Sequence, residues 1–173
     1  MKADLYWIPG PWKGHLAILG RPRGGDWLED EVAGWRLAGL DTVVSLLERS
    51  ESVELGLDHE AQTGESQNIR VLSHPTPDRG IPISTQETAR FLYDLLHELD
   101  SGKCVGLHCR QSVGRSGLIA IALLILAGFS LKDARDLVRS ARGLEVPETA
   151  EQLDWLEEFA TRHAAAEDAP QYI

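Results

Sequence analysis

A ten-residue segment, HCRQSVGRSG at 108–117, constrains the fold more than any other part of this chain. Apolar residues of strand type, Val105 and Leu107, come before it, and a strongly apolar helical stretch at 117–128 follows it. A strand, a tight loop and a helix N-terminus in this order direct several backbone N–H groups at one point, where the helix dipole also favours negative charge. The segment therefore predicts an anion-binding loop between a strand and a helix.

Cys109 and Arg115, with five residues between them, are the two groups in this loop that carry chemistry. A thiol at a helix N-terminus beside cationic groups ionises readily, so we expect Cys109 to be a thiolate at neutral pH. The planar guanidinium of Arg115 can hold two phosphate oxygens at once. Ser116 is close enough in sequence for a hydrogen bond to the sulfur. A cysteine before a helix can also be merely a small buried apolar side chain, so the whole pattern is needed to indicate a nucleophile.

The string H-C-x5-R-S-G resembles the signature of the cysteine-dependent protein tyrosine phosphatases and is matched at His108, Cys109, Arg115, Ser116 and Gly117. The phrases HPTPDRGIP at 74–82 and VPETAEQ at 146–152 support the resemblance, which is closest to the compact dual-specificity branch. It implies hydrolysis of phosphate monoesters through a cysteinyl-phosphate intermediate, with no metal and no other cofactor. It also implies that the loop binds the substrate phosphate through Arg110, Gln111, Ser112, Val113, Gly114 and Arg115.

The general acid is predicted to be Asp78. In parallel sheets the sites lie beyond the carboxyl ends of the strands, and Asp78 follows a predicted strand in the segment that resembles the acid loop of the family. Asp41 and Asp100 precede strands and so fall at the opposite edge. Glu48 follows a strand as well and is a rival for the role. The sequence Pro-Asp-Arg-Gly is also simply a good turn, in which the aspartate bonds its own backbone.

The resemblance implies supporting roles for three more residues. His108 is expected to hold the cysteine loop through hydrogen bonds, and Gln152 matches a glutamine of the family pattern. Glu148 stands where related enzymes have the glutamine that orients the attacking water, so it either enters the cleft or caps the last helix. The helix-start sequence at 147–149 favours the cap.

Two loop residues depart from the small side chains that are usual in the family, namely Arg110 and Gln111. Arg110 either raises the positive potential, which would favour more highly charged substrates, or is only exposed to solvent.

Composition limits the architecture and the partners. With 173 residues, 43% of them hydrophobic, the chain predicts one phosphatase domain over 1–173, with a frayed tail at 165–173. A net charge of −10 argues against general nucleic-acid binding. The longest apolar run, 117–129, is too short to span a bilayer and no leader pattern opens the sequence, so we expect a cytoplasmic protein without a membrane span.

The two cysteines, Cys104 and Cys109, are not predicted to form a disulfide. A strand between them would hold their Cα atoms roughly 16 Å apart, whereas a disulfide needs about 7 Å or less. A zinc site using both cysteines and His108 fails for the same reason, and no second pair of ligands occurs elsewhere in the sequence.

Short apolar runs alternate with amphipathic stretches along the chain, which predicts an α/β fold: a central, mostly parallel sheet of about five strands with helices on both faces. The strands are expected at 5–8, 16–19, 42–46, 69–73 and 105–108. Helices are expected at 27–40, at 117–128 and from three start signals, Ser84 with Glu87, Ser130 with Asp133, and Thr149 with Gln152.

Three functions are compatible with these residues. The first is a phosphotyrosine or dual-specificity phosphatase acting on a phosphorylated protein. The second is a phosphatase for a phosphoinositide or another non-protein phosphate, and the third is a silent phosphate-binding module. Binding alone would need neither Cys109 nor Asp78, which favours an enzyme.

Overall fold

The computed structural model describes residues 4–167 of the chain. Five strands and seven α-helices follow one another, and a 3₁₀ turn at Gly25–Trp27 precedes the first helix. The strands are β1 (Leu5–Ile8), β2 (His15–Leu19), β3 (Thr42–Ser45), β4 (Arg70–Ser73) and β5 (Cys104–His108). The α-helices are α1 (Leu28–Leu37), α2 (Arg49–Glu54), α3 (Glu60–Ser66), α4 (Thr85–Asp100), α5 (Gly114–Leu126), α6 (Leu131–Arg142) and α7 (Ala150–Glu167).

The five strands form one sheet in the order β1-β2-β5-β3-β4. Strand β1 is antiparallel to β2, and the other three pairings are parallel. The predicted fold class is therefore confirmed, and each predicted strand is present with bounds that differ by at most one residue. Because β2, β5, β3 and β4 point the same way, the segments that follow β3, β4 and β5 meet at one edge of the sheet.

Alternating side chains of the strands serve two separate cores. Leu16, Val44 and Leu107 point into a core that they share with α4, α5, α6 and α7. Ala17, Val43 and their neighbours point to the other face, where α1 and the region of α3 pack. This period of two is the reason that the sheet is covered by helices on both sides.

Local signals place most helix ends where the sequence predicts them. The Ser84 side chain accepts a hydrogen bond from the Glu87 N–H at the start of α4, and Ser130 does the same for Asp133 at the start of α6. Gly143 ends α6 in the left-handed conformation, with φ of 67°. Helix α5 begins at Gly114, three residues earlier than expected, because the last residues of the anion-binding loop already form its first turn.

The structure differs from the expected organisation in two parts of the chain. The segment at 48–68, for which the sequence predicts no element, contains the two short helices α2 and α3. Helix α7 continues to Glu167, into the segment expected to fray at 165–173, and residues 168–173 lie outside the described part of the chain.

Both cysteines are free, as expected from their separation along the strand. None of the helices described is long and apolar enough to cross a membrane.

Candidate active site

The segment after the central strand β5 forms a tight loop around the sulfur of Cys109. The N–H of Ser112 turns back and donates to Cys109 Sγ over 3.1 Å. Ser112 has φ of 55°, a left-handed conformation that glycine adopts more easily than serine, and this geometry aims its N–H at the sulfur. On the outer side of the loop, Arg142 Nε donates to the Ser112 carbonyl over 2.8 Å. The buried thiol thus accepts a hydrogen bond from its own loop, just before α5.

Arg115, in the first turn of α5, is 2% exposed and joins three segments of the chain. Its two terminal nitrogens donate to the carboxylate of Glu51 over 2.7 and 2.9 Å. One of them also donates to the carbonyls of Leu46 and Thr76 over 3.3 and 3.0 Å. The other donates to Asp78 Oδ1 over 3.1 Å. These contacts form a frame that holds the guanidinium in one orientation.

The charged groups around Arg115 shift the pKa values of one another so that the ionised forms are favoured. Burial opposes the charge of Arg115, but its hydrogen bond to Glu51 and the charges of Cys109, Glu51 and Asp78 raise its pKa overall. The hydrogen bond from Arg115 in turn lowers the pKa of Glu51, although burial acts in the opposite direction. Arg115 and Glu51 therefore form a charged buried pair.

Glu51 is a site residue that the sequence analysis missed. It lies on α2 at the N3 position and forms a reciprocal capping box with Glu48. The spacing of Glu48 and Glu51 directly after a buried strand was the available signal for a helix start at this edge of the sheet.

The two candidates for the general acid occupy different positions. Asp78 lies in the segment after β4, with its side chain 57% exposed, and contacts Arg115. Glu48 caps α2 and does not line the cleft around Cys109. The structure thus brings Asp78, and not Glu48, next to the predicted nucleophile and arginine.

The cleft above Cys109 is a small cavity of about 60 Å³. It is lined by Asp78, Arg79, Cys109, Gln111, Gly114, Arg115 and Glu148. A Cβ atom at Gly114 would lie 2.2 Å from Glu148 Oε2, so a larger residue at this position would displace the Glu148 carboxylate. Glu148 therefore contacts the wall of the phosphate-binding loop.

The position of Glu148 corrects the expectation that it caps α7. Its Oε1 accepts from Arg79 over 2.9 Å at the mouth of the cleft. The cap is supplied instead by Thr149, whose hydroxyl accepts from the Gln152 N–H. The buried Gln152 accepts from the N–H groups of Glu148 and Thr149 and donates to the Gly80 carbonyl over 3.0 Å. Gln152 thus connects the start of α7 to the loop that carries Asp78.

The side chain of His108 is completely buried, and its Nε2 lies 2.6 Å from Glu60 Oε1. Glu60 is a second acidic residue that the sequence analysis did not identify, and it comes from α3. The expected hydrogen bond from Ser116 to the sulfur is not formed: within the described residues its buried hydroxyl has no partner, like the hydroxyl of Ser112.

The remaining loop residues form the rim. Arg110 donates to both carboxylate oxygens of Glu54, over 2.8 and 3.3 Å, so its charge is paired with α2. Gln111 is exposed, and Val113 is half-buried before the start of α5. In residues 4–167 no group of three or more His, Cys, Asp or Glu side chains is arranged to hold a metal ion.

Residues 18–129 match the family model described as "Polymorphic toxin system, DSP-PTPase phosphatase". No match was found among curated protein sequences.

Several solved phosphatase structures share this architecture. The kinase associated phosphatase, with its catalytic cysteine replaced by serine, is 20% identical, with 95% of this chain and 98% of that chain covered and a TM-score of 0.86. The active form of Tk-PTP is 30% identical, with 91% and 97% covered and a TM-score of 0.75. The PTPMT1 complex with PI(5)P is 20% identical, with 93% and 99% covered and a TM-score of 0.76.

Proposed function

This chain belongs to the DSP-PTPase family of cysteine-dependent phosphatases, and we propose that it dephosphorylates proteins, with phosphotyrosine as its main substrate group. Phosphoserine and phosphothreonine are further substrates in this proposal. The observation that carries it is the meeting of three groups in one small cleft: the Cys109 sulfur inside the amide loop, the Arg115 guanidinium, and Asp78 at 3.1 Å from that guanidinium.

In the first step, the Cys109 thiolate attacks phosphorus in line and the bond from phosphorus to the ester oxygen breaks. The loop amides and Arg115 stabilise the equatorial oxygens as negative charge accumulates on them. Protonated Asp78 gives its proton to the leaving oxygen, so that a neutral phenol or alcohol departs. We expect the incoming phosphate to take over the Arg115 nitrogen that now bonds Asp78, which frees the carboxyl group for this transfer.

In the second step, water attacks the phosphorus of the cysteinyl-phosphate. Asp78, now ionised, takes a proton from that water, and the phosphorus–sulfur bond breaks to release inorganic phosphate and the Cys109 thiolate. Glu148 is the other carboxylate that lines the cleft, so it lies where it can influence the attacking water.

The charge pairing at the rim of the cleft favours a substrate with a single phosphate group. Both arginines at the mouth already have partners, Arg110 with Glu54 and Arg79 with Glu148. Binding of a headgroup with several phosphates would have to break these pairs, because the rim offers little unpaired positive charge. PTPMT1 was solved with PI(5)P, so a phosphoinositide is the alternative substrate class that must be tested.

The proposed setting is the cytoplasm, with a phosphorylated protein as partner. Two free cysteines, one of which must be reduced to act, agree with a reducing compartment. The net charge of −10 disfavours binding to nucleic acid.

A parallel assay of the wild type and Cys109→Ser tests the proposal. Phosphotyrosine peptide, phosphoserine peptide and phosphoinositide vesicles are compared for phosphate release. We expect the phosphotyrosine peptide to react fastest and the serine variant to release none while still binding vanadate. Mass spectrometry of quenched wild type should find phosphate on Cys109. Activity in Cys109→Ser would contradict the nucleophile, and faster release from vesicles would contradict the substrate class.

A further inference from the structure

The loop around Cys109 contains one residue in a conformation that its own side chain does not support. Ser112 has φ of 55°, in the left-handed region that glycine adopts freely and serine rarely does. Asparagine and aspartate are the usual exceptions, because their side chains bond the local backbone. The Ser112 hydroxyl is buried and has no hydrogen-bond partner within residues 4–167. Contacts outside the Ser112 side chain must therefore hold this conformation.

Both backbone groups of Ser112 have partners. Its N–H donates to Cys109 Sγ over 3.1 Å, and its carbonyl accepts from Arg142 Nε over 2.8 Å. The bond from Arg142 is charge-assisted, because its donor is a cation. A return of φ to the negative values that serine prefers would change the angle between the two peptide planes. The N–H and the carbonyl could then not keep both of these partners.

Arg142 is itself held in place by an aromatic ring. Its guanidinium carbon lies 3.9 Å from the centroid of the Tyr6 ring, which is the geometry of a cation–π contact. Tyr6 belongs to β1, and Arg142 is the last residue of α6. A continuous series of contacts thus runs from β1 through α6 to the Ser112 carbonyl and, across Ser112, to the sulfur.

We propose that Arg142 is a positioning residue of the phosphatase reaction, which holds Ser112 in its left-handed conformation and so keeps the Ser112 N–H directed at the Cys109 sulfur. Arg142 does not line the cleft, so it acts through the shape of the loop and not by contact with the phosphate. Tyr6 contributes by fixing the guanidinium. This inference rests on the proposed function, in which the loop binds the substrate phosphate and carries the nucleophile.

A double-mutant cycle between positions 142 and 112 tests the inference. Arg142→Met keeps a long side chain but removes the donor. Ser112→Gly removes the need for the donor, because glycine adopts positive φ about as readily as negative φ. Equilibrium binding of tungstate is measured by titration calorimetry, together with kcat and KM for an aryl phosphate and the melting temperature of each variant.

The effect of Arg142→Met should depend on the residue at position 112. With Ser112 present, the substitution should weaken tungstate binding and lower kcat by about 5- to 100-fold, because only molecules with a left-handed residue 112 are competent. In the Ser112→Gly background the same substitution should change either quantity by no more than about twofold. The lost positive charge is the same in both backgrounds, so the difference between them reports the loop conformation.

Arg139→Met is the matched control. Arg139 lies one turn earlier on α6 and pairs with Asp136 and Glu145 instead of the loop. The same loss of charge and donor at this exposed position should leave tungstate binding and kcat within about twofold of wild type.

Tyr6 provides a second pair of variants. Tyr6→Leu removes the ring beneath the guanidinium and should weaken tungstate binding by about 2- to 5-fold, the size of a cation–π contact near the surface. Tyr6→Phe retains the ring face and should lose less than Tyr6→Leu. In the Arg142→Met background, Tyr6→Leu should cause no further loss.

Equal losses from Arg142→Met with and without Ser112→Gly would overturn the inference, because the arginine would then act through its charge or through stability alone. If Arg142→Met does not fold, Tyr6→Leu takes its place in the cycle, and an equal loss in both backgrounds overturns the inference in the same way. Activity that survives Cys109→Ser refutes the proposed function, whereas Cys109-dependent activity without coupling between positions 142 and 112 refutes only the positioning role.

Discussion

Among the single side chains, Asp78 must be protonated in the first step and ionised in the second. We expect Asp78→Asn to slow turnover of an aryl phosphate by roughly 100- to 10,000-fold, the usual contribution of a general acid. The basic limb of the pH–rate profile should flatten, because that limb reports loss of the acid proton. Steady-state kinetics across pH measures both effects.

Glu48→Gln is the control for Asp78, because Glu48 caps α2 and does not line the cleft. Its profile should keep the wild-type shape. If Glu48→Gln flattened the basic limb while Asp78→Asn left it intact, the acid would have to be reassigned.

Glu148 places a negative charge against the phosphate-binding loop, with Oε2 next to Gly114 and Oε1 on Arg79. Glu148→Gln should therefore tighten the binding of inorganic phosphate, by up to about fivefold for a partly exposed charge. The substitution should also change the ratio of alcohol to water that captures the cysteinyl-phosphate. Inhibition by phosphate at low and high salt measures the first effect, and product analysis in added alcohol measures the second. If neither changed, Glu148 would have no influence on the cleft.

The sequence predicted the residues whose chemistry is local and missed those that act from a distance. Cys109 and Arg115 belong to one loop, so their spacing alone indicates an anion site. Glu51 and Glu60 reach Arg115 and His108 across 64 and 48 residues. Such contacts depend on the order of strands in the sheet, which no local pattern specifies.

At the level of elements, α2 is the helix on which the arrangement of the site depends. It has six residues, far fewer than an isolated helix needs for stability in water. Its position therefore depends on contacts outside the helix, chiefly the buried pair of Glu51 with Arg115 and the exposed pair of Glu54 with Arg110.

The buried pair and the exposed pair of α2 should differ in their contribution to stability. Glu51→Gln removes the buried counter-charge of Arg115 and leaves it paired with Asp78, whose side chain is 57% exposed. It should lower the free energy of unfolding by about 3 kcal/mol, the low end of the cost of breaking a buried pair. It should also weaken phosphate binding, because the two-point contact with Glu51 that orients the guanidinium is weakened. Glu54→Gln should change little, since exposed pairs contribute little to stability. Urea denaturation and phosphate inhibition measure the two outcomes, and equal effects of the two variants would contradict the ranking.

The elements that could be predicted are those with signals in their own sequence. Helices α4 and α6 begin at serine caps, and the five strands have apolar runs of the right length. Helices α2 and α3 lack an apolar stripe, because the residues they bury toward the site are charged: Glu51 and Glu60. A pattern based on hydrophobicity cannot detect a helix whose inward face is acidic.

For the whole molecule, the parallel order of four strands brings three separate segments to one edge of the sheet. The segment after β3 supplies Glu51, the segment after β4 supplies Asp78, and the segment after β5 supplies Cys109. The stability of the fold and the geometry of the site are therefore linked, because a change in strand packing moves all three.

His74, the first residue after β4, makes the stability of the fold at this edge of the sheet depend on pH. Its ring stacks on Phe91 with centroids 4.4 Å apart and bonds the Thr88 hydroxyl at 3.0 Å. Burial lowers the pKa of His74 below its ordinary value of 6.5, against a smaller opposing effect of Glu87. The unfolded chain therefore binds a proton at a higher pH than the folded protein does. The contribution of the neutral His74 ring to the free energy of unfolding is complete above pH 6.5 and is lost as the pH falls through the lowered pKa of His74.

We expect the melting temperature to fall between about pH 7.5 and pH 5.5, a window above the titration of carboxylates, because protonation of His74 is unfavourable only in the folded state. His74→Phe retains an aromatic ring against Phe91 but cannot take up a proton, so its melting temperature should depend less on pH across that window. His163, whose pKa burial also lowers, contributes in the same direction and leaves a residual slope in the variant. The exposed His97 provides the control: His97→Gln should keep the full wild-type slope. Thermal melts followed by circular dichroism at the two pH values measure the difference, and equal slopes for wild type and His74→Phe would show that the loop leading to Asp78 does not couple stability to pH.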